Sequence, residues 1–145
     1  MPALAEFPLD ATSGLELRIA HLNKTLGCDA VRFPNQSALP AYVERNAYIR
    51  GNEFVAARLV GPDIDGYYSV ELEVRQSAAK KIDDLAKTNG AAGLGVFRRG
   101  EPVQLIQAVR GISGRTLSWH GFESQQAARM MLDMFGALAN VGQAT

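Results

Sequence analysis

The spacing of apolar and polar positions changes period several times along this chain. From Glu53 to Val60 (EFVAARLV) and from Tyr67 to Arg75 (YYSVELEVR) it is strand-like around Gly61-Pro62-Asp63-Ile64-Asp65-Gly66, a stretch dense in turn formers, and so predicts an antiparallel hairpin. In the second strand Tyr68, Val70, Leu72 and Val74 share one face while Tyr67, Ser69, Glu71, Glu73 and Arg75 share the other, as in a sheet with one wet side. From Gly93 to Phe122 the pattern predicts a meander of three further strands. Leu94, Val96 and Phe97 lead into the turn Arg98-Arg99-Gly100-Glu101, and Pro102 opens a run to Val109 with apolar residues on both faces. After Gly111-Ile112-Ser113-Gly114, residues Thr116 to His120 alternate with Leu117 and Trp119 inward.

Helical spacing recurs elsewhere. Ser13 and Glu16 fit an S-x-x-E capping box, and Leu15, Ile19, Leu22 and Leu26 form one stripe ending at Gly27, which predicts a first helix. Ser77 caps a second helix with Ala78, Ile82, Leu85 and Ala86 inward. A final helix starts at Glu123 or Ser124; its stripe is Ala127, Met131, Met134, Phe135 and Leu138, widened by Ala128, Met130 and Ala137. Between Asp29 and Gly51 the pattern is weaker. It allows a short strand at Ala30 to Phe33 and a helix from about Ala38 with Tyr42, Val43, Ala47 and Tyr48 inward, or an extended Tyr48-Ile49-Arg50.

These elements predict an α+β fold: a two-layer domain with one five-stranded, mostly antiparallel sheet, helices on one face, and the order αββαβββα. Residues 1–12 are expected to form an irregular N-terminal arm in which Phe7 and Leu9 can dock, 13–140 a single domain and 141–145 a frayed tail. The element order is similar to that of the roadblock and longin-like folds, a resemblance in topology that implies a dimerising adaptor.

Composition narrows the choice of partner. With 15 basic and 15 acidic side chains the net charge is zero, so no bulk field draws the protein to nucleic acid or to an anionic membrane, and neither is expected as a partner. No apolar run approaches the roughly 20 residues of a membrane span, and the first residues lack a basic stretch before an apolar core, so a cytoplasmic address is expected. A lone Cys28 makes no internal disulfide and reads as a small buried hydrophobe.

Candidate chemistry is sparse. Cys28, Asp29 and His21 match no zinc spacing, and Asp63-Ile64-Asp65-Gly66 lacks the later acidic ligands of a calcium loop, so no metal and no cofactor are expected. No catalytic residue stands out: Ser118 and His120 share a strand face, but nothing supplies the orienting third group. The leading expectation is a noncatalytic protein-interaction module (adaptor, chaperone-like or inhibitor protein), homodimeric, with Met130, Met131, Met134 and Phe135 of the final helix as the partner-binding residues. The alternative is a small-ligand domain or minor enzyme with a pocket at Trp119, His120 and Tyr67.

Overall fold

The computed structural model describes residues 3–35, 39–88, 92–106 and 114–136. Outside these lie the proposed tail, Leu138, the end of the run to Val109, the turn residues 111–113, the Asn89-Gly90 stop and the helix start at Ser37 and Ala38. Among the described residues are the strands β1 (Ala3–Pro8), β2 (Leu15–His21), β3 (Cys28–Val31), β4 (Ala41–Glu44), β5 (Phe54–Val60) and β6 (Tyr68–Val74). Helix α1 (Gln76–Thr88) follows, then β7 (Gly93–Arg98), β8 (Glu101–Ile106), β9 (Thr116–Phe122) and helix α2 (Gln125–Met134).

The strands form two antiparallel sheets, one in the order β1-β5-β6-β9 and the other in the order β3-β4-β2-β7-β8. This corrects the single five-stranded sheet, the order αββαβββα and with it the topological likeness to adaptor folds. Three changes account for it. Residues 3–8 are not an irregular arm: they pair with β5 from Ala3↔Val60 to Pro8↔Ala56, and Phe7 and Leu9 are core. The first helix is the strand β2, paired with β7 from Leu15↔Arg98 to Ala20↔Gly93. The meander breaks because β9 pairs with β6, at Leu72↔Leu117 and Val70↔Trp119, and not with β8.

In β2, Leu15, Leu17 and Ile19 alternate onto one face, and that period-2 set is satisfied by sheet pairing on both sides. Leu22 and Leu26, which complete the helical stripe on paper, are 53% and 102% exposed. Ser13 belongs to a short 3-10 turn (Ala11–Ser13) capped by Asp10, whose side chain accepts from Thr12 N, and Glu16 bonds Arg18 instead of a helix terminus. Ala41 to Glu44 is a strand and not a helix, while Ile49 bridges to Leu17, so the extended reading of Tyr48-Ile49-Arg50 is the one found.

The β5–β6 hairpin forms as its alternation predicts, and its loop is held by Asp63, whose Oδ1 accepts from Asp65 N and Tyr67 N, both at 2.9 Å. One core collects Phe54, Leu59, Val70 and Leu72 from the first sheet, Leu15, Leu17, Leu94 and Val96 from the second, and Ile82, Leu85, Met131, Leu132 and Phe135 from the helices. A second cluster on the far face of the five-stranded sheet joins Ala20, Phe33, Ala41, Val43, Phe97 and Leu105.

Candidate functional site

Helix α2 is capped by Ser124, which accepts from Ala127 N at 3.1 Å, and its buried row is Ala128, Met131, Leu132 and Phe135 at spacings of three, one and three. The stripe expected from sequence is therefore rotated, and the four proposed partner-binding residues divide. Met131 and Phe135 face the core, with Phe135 packed 5.1 Å from the Trp119 ring. Met130 and Met134 stand one helical turn apart on the solvent flank, 66% and 37% exposed. Arg129 and Asp133 are exposed beside them in the same register.

The residues of the alternative pocket do not converge. Trp119 packs on Phe135 at the rim of the core, whereas His120 is exposed on the outer face, its Nδ1 3.0 Å from Ser69 Oγ. Tyr67, 42% exposed, precedes β6, where its N–H serves the loop aspartate. That outer face carries an ion-pair cluster. Arg58 lies between Glu73 and Glu6, Arg115 reaches Glu73 at 3.6 Å, and the carboxylate of Glu73 holds the Arg58 guanidinium still further above its ordinary pKa.

A concave site does exist, where the end of α2 comes down on the β7–β8 hairpin. A cleft of about 350 Å³ is lined by Arg98, Arg99, Glu101, Pro102, Val103 and Met134. Its shape follows from two backbone features. The hairpin turns through Arg99 at φ 52° and Gly100 at φ 83°, the paired left-handed conformations of a tight strand connection. Arg99 is fixed there by its N–H, which donates to Gly14 O at 2.8 Å. At the other wall α2 ends at Gly136, left-handed at φ 82°, whose N–H donates to Asp133 O at 2.9 Å. The Arg98 guanidinium lies directly over this glycine: a side-chain carbon at Gly136 would come within 2.7 Å of Arg98 Nε. That Nε is sealed from solvent and has no hydrogen-bond partner. Positive charge at the C-terminal end of a helix is favourable, but the field of the helix does not replace an acceptor for the N–H.

In the sequence, Arg98 to Glu101 reads only as a turn. That α2 closes over the turn depends on the rotation of α2 and on Gly136 matching Arg98, and neither is a local pattern. Compared with known proteins, the chain matches no family model, no curated protein and no solved structure. Among the described residues no helix is long and apolar enough to cross a membrane.

Proposed function

We propose that the chain is a noncatalytic protein-interaction module that works as a homodimer, with the solvent flank of α2 as its contact face. The observation that carries this reading is the exposed pair Met130 and Met134 on a helix whose other methionine, Met131, is core. Unbranched thioether side chains adapt to a partner surface, and a large apolar side chain two-thirds exposed gains from being covered. A second copy is the partner that the charges favour. In a two-fold arrangement a contact of residue i with residue j of the partner copy is matched by j with i, so antiparallel α2 helices would set Arg129 against the partner copy's aspartate, and the reverse, while the methionines interdigitate.

The test is the solution mass of the wild type and of the double variant Met130→Asp, Met134→Asp. Both positions are solvent-exposed, so the variant keeps its fold; the expected result is a wild-type dimer and a variant that is a folded monomer. A wild type that sediments as a monomer across the micromolar range, or a dimer that the double variant leaves intact, overturns the reading.

A further inference from the structure

We propose that the cleft between the end of α2 and the β7–β8 hairpin binds a small monocarboxylate with an apolar tail. The proposal stands on the geometry of the cleft, which shares Met134 with the proposed dimer face. Arg98 and Arg99 both line an open cleft, and Arg98 leaves a buried Nε–H without an acceptor, which is rare in folded proteins. Because that Nε is sealed, a carboxylate would be met by the terminal guanidinium nitrogens. The Gly136 backbone lies close against the Arg98 guanidinium, where a side-chain carbon would meet Nε at 2.7 Å. The Arg98 side chain makes no ion pair or hydrogen bond among the described residues, and the same holds for the neighbouring Arg99 side chain.

The remaining lining sets the rest of the ligand. Pro102, Val103 and Met134 are apolar, and Val103 is buried beneath the cleft, so the part of a ligand away from the arginines would meet hydrocarbon. The volume is at the small end for a ligand site, which suits a short chain or a single ring. Two arginines and Glu101 give the lining one excess positive charge, matching one carboxylate better than a dianion. Planar bidentate donors suit a carboxylate in particular, because its two oxygens can take two N–H groups of one guanidinium.

The experiment uses octanoate as probe, with 1-octanol (tail without charge) and acetate (charge without tail) as controls, read by backbone amide shifts. Octanoate is expected to give saturable shifts at Arg98 to Val103 and at Met134 to Gly136, with octanol and acetate weaker by about tenfold or more. Arg98→Met, which keeps the unbranched stem, should weaken octanoate by about tenfold and leave octanol unchanged. Its melting temperature should stay level or rise, because it removes an unpaired N–H, and its solution mass should match that of the wild type, which separates this site from the dimer face. Octanol binding as tightly as octanoate, shifts at other residues, or an Arg98→Met variant that binds octanoate normally overturns the proposal. Should that variant fail to fold, Met134→Trp, placed at a part-exposed position in the mouth, must abolish the octanoate shifts; retained binding overturns the proposal equally.

Discussion

On the outer face of the four-stranded sheet Arg58 stands between Glu6 and Glu73, with Ser69 and the exposed His120 beyond. On the outer face of the five-stranded sheet Phe33, from the connection after β3, lies edge-on to Phe97 with ring centroids 5.4 Å apart and covers Gly95. Asn35 fastens the same connection by donating to Leu105 O at 3.0 Å and accepting from Leu105 N at 2.8 Å. One sheet thus carries ion pairs on its outer face, and the other a second apolar cluster. The contrast shows how the two sheets encode themselves. A sheet with one wet side writes alternation into its strands, whereas β7, in the sheet with a cluster on its far face, is buried from Gly93 to Phe97 and depends on a residue far away in sequence to supply its cover.

The largest expected effect tests that cover. Phe33→Ala removes a side chain only 2% exposed from the small cluster and should cost about 3 kcal/mol, measured by urea unfolding. A cost near zero would mean that the second face is effectively wet. Next, Gly95→Ala places a carbon 2.6 Å from Phe33 Cζ and should cost about 1–2 kcal/mol by overpacking; the double variant with Phe33→Ala should recover part of that loss in a mutant cycle. On the opposite sheet Arg58→Met should cost about 1 kcal/mol and less in high salt, since the Arg58 side chain is 20% exposed and its pairs are partly screened. A cost as large as that of Phe33→Ala would erase the distinction between the faces.

The smallest effect concerns the edge strand β3. The Cys28 thiol is pushed up from its ordinary pKa by desolvation first and then by Glu44 and Asp29. Its thiolate is scarcer at neutral pH than that of a free cysteine, and the alkylation rate should go on rising with pH after a free thiol has levelled off. An iodoacetamide profile that levels off with a free thiol would remove that prediction.

The same contrast decides what could be read from sequence. The β5–β6 hairpin was legible because Val70, Leu72 and Val74 face one way and Glu71 and Glu73 the other. Helix α1 was legible for the same reason at period 3.6, with Ala78, Ile82 and Leu85 buried. Strand β2 was not. Its Leu15-Glu16-Leu17-Arg18-Ile19 alternation competes with a helical stripe that runs through Leu22 and Leu26, and the choice is made by pairing to β7, far along the chain. Glycines 93 and 95 lie inside β7, and Gly95 is small because Phe33 occupies the space. At the candidate site the Met-rich stripe of the last helix reads in a shifted phase, because Ala127 and Ala128 are equally acceptable core residues and only packing on β5, β6 and β9 separates them.

The pairing of β2 with β7 also has a meaning in time. Leu15 must find Arg98, and Ala3 must find Val60, whereas the β5–β6 and β7–β8 hairpins close over short loops. Chain-closure entropy makes the near pairs cheap and the distant ones slow, so topology alone sets folding at roughly milliseconds to seconds, with the hairpins as scaffolds on which β1 and β2 dock late. Until β2 arrives, the Leu94 and Val96 face of β7 has no neighbour along that edge, and the nascent chain is most exposed to mispairing at the strand whose own sequence reads as a helix.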